Sequence, residues 1–166
     1  MSVIDEVLHA NKAYVERFAL GHLPVPPARG LVVLSCMDAR QAMFAMLGLK
    51  PGDALILRNA GGIVTDDVLR SLIVAHHLLS AREVMIINHT ECGLLAFKDD
   101  EMKSRLQKAT GVNAATPRRF YAFSDLEQNV RAQVQKAKSH PWLPANLTVR
   151  GFIYDVKTGK LSEVLP

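Results

Sequence analysis

Three runs of consecutive apolar residues, Leu31-Val32-Val33-Leu34, Ala54-Leu55-Ile56-Leu57 and Val84-Met85-Ile86-Ile87, punctuate an otherwise mixed chain. A strand that is apolar at every position, instead of at alternate ones, has both faces covered, and helices on the two sides of a parallel sheet supply that cover. The segments between the runs have the matching period. Residues 39 to 47 and 67 to 79 read as helical, with Thr65 or Asp66 as the N-cap of the second, and Lys50-Pro51-Gly52-Asp53 is turn chemistry. A helix over about 125 to 138 leads into a further strand from Leu147 to Val156. Lys157-Thr158-Gly159-Lys160 then reads as a hairpin turn into a short last segment. Residues 98 to 125 are polar and mixed and read as surface helix and loop. The class is α/β, with a mainly parallel central sheet flanked by helices, an N-terminal helical arm and a C-terminal edge strand or hairpin.

The arm rests on Ser2 and Asp5, which form a capping box, and on Ile4, Val7, Leu8, Val15 and Phe18 at helical spacing, so residues 3 to 18 read as an amphipathic helix. Pro24, Pro26 and Pro27 make the following segment extended. With no partner near it in sequence, this helix is expected to pack as an arm on a second subunit. The 166 residues suit a single domain, with 1–27 as arm and linker and 28–166 as the α/β core. At this size a chain buries enough apolar surface to fold without a disulfide or a metal, so any metal needs another reason to be there.

Charge narrows the function classes. Lys and Arg exceed Asp and Glu by 20 to 16, and the positive residues are scattered, with only Arg118 and Arg119 adjacent. Without basic residues interleaved with stacking aromatics, no nucleic-acid partner is expected. No segment approaches the roughly 18 apolar residues that span a bilayer, and Asp5, Glu6 and Glu16 interrupt the first twenty residues, so no membrane partner is expected and the location expected is cytoplasmic. In such a reducing compartment Cys36 and Cys92 are metal ligands, catalytic or inert more often than disulfide-bonded.

Their neighbours favour the metal. Ligands in open α/β sheets gather beyond the carboxyl ends of the strands. Here the first run ends in Ser35-Cys36-Met37-Asp38-Ala39-Arg40, the second in Arg58-Asn59-Ala60-Gly61-Gly62 and the third in His89-Thr90-Glu91-Cys92-Gly93. Cys36, His89 and Cys92 make a two-thiolate, one-imidazole set that suits zinc, and three protein ligands with one open position is the catalytic arrangement. A filler role for the cysteines is weaker, because filler has no reason to sit only at converging strand ends, and the Cys-x-x-Cys spacing of a redox dithiol is missing. His9, His22, His76, His77 and His140 read as ordinary histidines. Asp38 either ligates the ion or accepts a hydrogen bond from the water on it, and a bidentate pair with Arg40 would keep the carboxylate off the metal and ionised. Ala60, Gly61 and Gly62 are either a tight turn or a place where backbone approaches a small substrate or anion. Arg58 reads as an anchor for neighbouring loops, and Glu91 as the opening residue of the following helix with no catalytic role.

At Cys36-Met37-Asp38-Ala39-Arg40, Arg58-Asn59-Ala60-Gly61-Gly62 and His89-Thr90-Glu91-Cys92-Gly93 the chain resembles the β-class carbonic anhydrases, in particular their short archaeal- and mycobacterial-like branch, nearly end to end. It departs from them at Glu91, where the family usually has aspartate. The resemblance implies one zinc per subunit on Cys36, His89 and Cys92, and an Asp38–Arg40 dyad beside it. It also implies a homodimer or higher homo-oligomer, and reversible hydration of carbon dioxide to bicarbonate by metal-bound hydroxide. Because two thiolates nearly cancel the metal's charge, activity is expected to climb through mildly alkaline pH. Two rivals share the motifs: a carbonyl sulfide or carbon disulfide hydrolase with the same zinc site, and a non-catalytic zinc-stabilised or bicarbonate-binding module in which Asp38 fills the fourth position permanently.

Overall fold

The structure, a computed structural model, describes residues 2–165. In chain order the elements are α1 (Val3–Val15), β1 (Leu31–Cys36), α2 (Met43–Leu47), β2 (Ala54–Asn59), α3 (Asp66–Leu79), β3 (Glu83–His89), α4 (Asp99–Thr110), α5 (Leu126–Lys138), β4 (Thr148–Tyr154) and β5 (Leu161–Val164). One five-stranded sheet runs in the order β2-β1-β3-β4-β5, parallel except for β5, which pairs antiparallel with β4. The α/β class with helices on both faces and an antiparallel edge strand is therefore as the apolar runs require. No helix of the described residues is long and apolar enough to cross a membrane.

Each face of the sheet has its own core. On one side Val32, Leu34, Val84, Ile86 and Val149 pack against α3 through Val68, Leu72 and Ala75 and against α5 through Ala137. On the other side Val33 and Ile87 meet Met43 and Leu49, and Phe152 and Leu161 close that layer. Alternate residues of β1 thus enter opposite cores, which is why the run shows no polar interruption. Gly151 on β4 sets how closely α5 approaches, because a Cβ there would run into Val130 and Val134.

Several boundaries differ from the sequence reading for local reasons. Helix α1 stops at Val15, three residues early, where the chain passes into turns bonded by the Arg17 and Phe18 N–H groups. Its capping box is present, with the Asp5 N–H donating to Ser2 Oγ at 3.2 Å and the Ser2 N–H donating to Asp5 at 2.8 Å, yet none of its residues is buried by the rest of the chain. Helix α2 begins at Met43 instead of residue 39, because Asp38 captures the Arg40 N–H at 2.9 Å and the Gln41 side chain turns inward to Ser35. Strand β4 ends at Tyr154, since the Asp155 carboxylate accepts the Lys157 and Thr158 N–H groups at 2.8 and 2.9 Å and begins the turn. The polar stretch from 98 contains a helix of 12 residues, α4.

Candidate metal centre

Strands β1 and β3 are neighbours in register, with Ser35 opposite Ile87, so their carboxyl ends finish at one level. Cys36 is the last residue of β1 and His89 the last of β3, and Cys92 follows one turn later. The Sγ atoms of Cys36 and Cys92 and a ring nitrogen of His89 lie within 4.8 Å of one another, and all three side chains are buried. These are the residues grouped in the sequence by their positions at converging strand ends.

The histidine is aimed for ligation. Its Nδ1 donates to the Thr90 carbonyl at 2.8 Å, so in the neutral imidazole Nε2 is the unprotonated nitrogen. Nε2 is buried and has no hydrogen-bond partner among the described residues, an expensive condition unless something takes the lone pair. Two sulfurs and one imidazole nitrogen around that orphan fit a divalent ion of tetrahedral habit, with bonds of about 2.3 Å to sulfur and about 2.0–2.1 Å to nitrogen.

The sulfurs are unequal. The Cys36 thiol is pulled down by a hydrogen bond from the Cys92 thiol, assisted by the Gly61 N–H, which reaches Cys36 Sγ at 3.3 Å. Cys92 is pushed up, by its interaction with Cys36 and by burial, because two adjacent thiolates repel and the pair shares one proton.

Beside this triangle, Asp38 and Arg40 form the bidentate pair that two residues of separation allow. Arg40 donates from Nε to Oδ1 at 3.0 Å and from Nη2 to Oδ2 at 2.8 Å. Asp38 Oδ2 stands 3.7 Å from His89 Nε2, so the carboxylate faces the donor atoms while the guanidinium grips it from behind. The Arg40 hydrogen bonds hold the Asp38 carboxyl far below the usual carboxylate range. Arg58 is the loop anchor that its position suggested, donating to the carbonyls of Cys36 at 2.9 Å and Asp38 at 2.6 Å.

The glycine segment is built inward. Gly61 and Gly62 are buried with φ of +83° and +63°, and Ala60 is exposed at the start of their turn. The Gly61 N–H is taken by Cys36 Sγ, so the anion this backbone approaches is the thiolate itself. A Cβ on Gly62 would lie 2.9 Å from the Ile87 carbonyl oxygen and 3.1 Å from the Cys36 nitrogen, both rigid strand backbone. Gly62→Ala therefore combines a left-handed backbone with a clash that cannot relax. We expect a loss of about 2–4 kcal/mol in urea unfolding and a lower metal content in what folds.

Sequence reasoning missed the support behind that turn. Asn88, buried in β3, donates to the Gly61 and Gly62 carbonyls at 2.9 and 3.3 Å and accepts from Asn129 on α5 at 2.7 Å. Gln133 bonds Asn129 at 3.0 Å and accepts the Val64 N–H at 2.8 Å. The signal was an asparagine ending a run otherwise wholly apolar. Glu91 corrects the reading made of it: it does not open a helix. It sits in the left-handed region at φ +55°, ahead of a single 3-10 turn that starts at Gly93, and pairs with Arg40 at 3.3 Å and Lys157 at 2.6 Å.

An apolar wall completes the surroundings. Ile63 and Leu94 pack with the two cysteines, and Leu95, Phe97 and Phe123 lie against them.

The chain is similar to known proteins over its whole length. Residues 31–161 match the family model described as carbonic anhydrase. Over all 166 residues, and the whole length of both proteins, the chain is 41% identical to β-carbonic anhydrase 1 of Mycobacterium tuberculosis. A carbonic anhydrase from Streptococcus mutans superposes with a TM-score of 0.94 at 40% identity, covering 99% of each chain. The carbon disulfide hydrolase of Saccharolobus solfataricus is 34% identical, covering 96% of this chain and 88% of that protein. A donor triangle on two register-matched strand ends, a neighbouring carboxylate clamped by arginine, and identity of this extent over the full length lead to one assignment: the chain belongs to the β-carbonic anhydrase family.

Proposed function

We propose that this protein interconverts carbon dioxide and bicarbonate with one zinc ion per subunit held by Cys36, His89 and Cys92. The observation that carries the reading is the orphaned, buried Nε2 of His89 facing two cysteine sulfurs, with Asp38 beside it but held by Arg40. Zinc, when bound, supplies the acidity that makes water a nucleophile near neutral pH. The remaining tasks fall to the chain. Asp38 Oδ2, ionised and aimed at the donor triangle, accepts a hydrogen bond from the reacting water and orients its lone pair toward the substrate. Arg40 keeps that carboxylate from becoming a ligand. The partly exposed rings of Phe97 and Phe123, backed by the buried Ile63 and Leu94, offer a surface on which carbon dioxide displaces water at little cost. Gly61 and Gly62 serve the site from inside, through the Gly61 N–H on Cys36 Sγ, and Ala60 is the exposed residue of that turn which a small substrate can approach.

The same reading takes the chain as a homodimer or larger homo-oligomer in the cytoplasm. Val3, Ile4, Val7 and Leu8 of α1 are all more than half exposed, and a helix of 13 residues with no packed face is marginal in water, so a second copy is the natural cover. Two unpaired cysteines at the site fit a reducing compartment. The deciding experiment is stopped-flow carbon dioxide hydration on metal-quantified protein, run in parallel with sulfide release from carbon disulfide and carbonyl sulfide. Fast hydration that scales with zinc content supports the reading. Sulfide release without hydration would transfer the site to the hydrolase chemistry, and zinc without either activity would make the chain a binding module.

A further inference from the structure

Arg40 serves two carboxylates. Its Nε and Nη2 hold Asp38, while Nη1 reaches Glu91 Oε2 at 3.3 Å and Nη2 also approaches the Glu91 carbonyl at 3.4 Å. The other oxygen of Glu91 takes the ammonium of Lys157 at 2.6 Å. Lys157 belongs to the turn between β4 and β5, far from the site in sequence. Charges of alternating sign, Asp38, Arg40, Glu91 and Lys157, therefore run from the donor triangle to the tip of the hairpin. Glu91 adopts its positive φ although a side chain is disfavoured there, and that backbone directs its carboxylate back over Arg40.

Such pairs add little to folding. Arg40 and Glu91 are about half exposed and Lys157 more so, and solvent screens ion pairs of that kind. What the chain of charges can do is geometric. A guanidinium held on one edge only can pivot together with the Asp38 carboxylate about the bond that carboxylate accepts from the Arg40 N–H. Held on both edges, it is fixed.

We propose that Glu91, itself tethered by Lys157, is a positioning residue that fixes Asp38 through Arg40, so that the β4–β5 turn sets the distance between the Asp38 carboxylate and the metal donors. The inference rests on the hydratase reading for its kinetic consequence and on geometry alone for its structural one. A methylene-for-methylene replacement such as Glu91→Gln keeps the side chain's length and loses its charge, which loosens Arg40 without opening the fold.

The test uses the full-length protein loaded with zinc for kinetics and with cobalt(II) for visible absorption, which reports the donors around the ion. Glu91→Gln is expected to lower kcat about fivefold with KM, metal content and thermal midpoint unchanged. Its cobalt spectrum should differ from that of the wild type. Lys157→Met should move both readouts the same way by a smaller amount, and Lys157→Arg, which still reaches Glu91, should restore them. On an Asp38→Asn background, Glu91→Gln should change nothing further, because the residue it positions has gone. A Glu91→Gln protein with wild-type kcat and cobalt spectrum would overturn the inference. So would an equal effect on both backgrounds, or a rate loss that merely follows loss of metal. The spectrum is read whether or not the wild type hydrates carbon dioxide, so failure of this inference and failure of the activity reading are separate results.

Discussion

Cys92→Ser protein should purify folded but nearly free of zinc, with carbon dioxide hydration lowered more than about 10³-fold. Serine replaces a thiolate-forming sulfur with a hard hydroxyl that stays protonated, leaving two ligands, Cys36 and His89, which do not retain an ion against dilution. The fold should survive. Cys92 lies in the short turn after β3, its replacement is nearly equal in size, and the small apolar cluster it joins at the mouth of the sheet is separate from the two cores on the sheet faces. Metal analysis by inductively coupled plasma mass spectrometry, far-UV circular dichroism and stopped-flow assay check the three parts separately. Retention of one zinc per chain would show that Cys92 is not a ligand.

Asp38→Asn separates positioning of the reaction from binding of the ion. Zinc content should stay at one per chain while kcat falls about 10²-fold, the lower end of what a positioned proton acceptor contributes. Asparagine can still accept one hydrogen bond from Arg40, so the loop keeps its shape, but the amide has no charge to orient water. If the zinc departs with the carboxylate, Asp38 is a ligand and the catalytic assignment fails. The pH behaviour follows from the same pair. Because Arg40 holds Asp38 below the ordinary aspartate value of 3.8, any stability the pair adds is fully present above that pH. It is lost only as pH falls through the lowered value. Wild-type activity lost between pH 5 and 7 would therefore not arise from protonation of Asp38.

The parts of the site legible in the sequence were those that depend on strand ends. Continuous apolar runs mark strands covered on both faces, parallel strands finish at one edge, and the soft ligands Cys36, His89 and Cys92 all stood just past such a run. The Asp38–Arg40 pair was readable because two residues of separation in a loop bring a carboxylate and a guanidinium together locally. Long-range partners were not readable. Lys157 meets Glu91 only because β4 lies beside β3, and Asn129 meets Asn88 only because α5 crosses that strand. Neither meeting leaves a trace in local periodicity. Element boundaries failed where a side chain competed with the backbone: Asp38 taking the Arg40 N–H delayed α2, and Asp155 taking two N–H groups ended β4.

The pairing of β1 with β3 residue by residue, Leu31 with Glu83 through Ser35 with Ile87, has a consequence for how the centre acquires its ion. Cys36 and His89, at the ends of these paired strands, are spaced by the sheet and not by the cation, and Cys92 follows in the turn after β3. The receptor is preorganised, so a chelator should strip it and leave a native chain ready for reloading, unlike small zinc modules that collapse when emptied. Which cation occupies it in the cell then depends on sulfur-nitrogen preference and on supply, since the scaffold does not close around its guest.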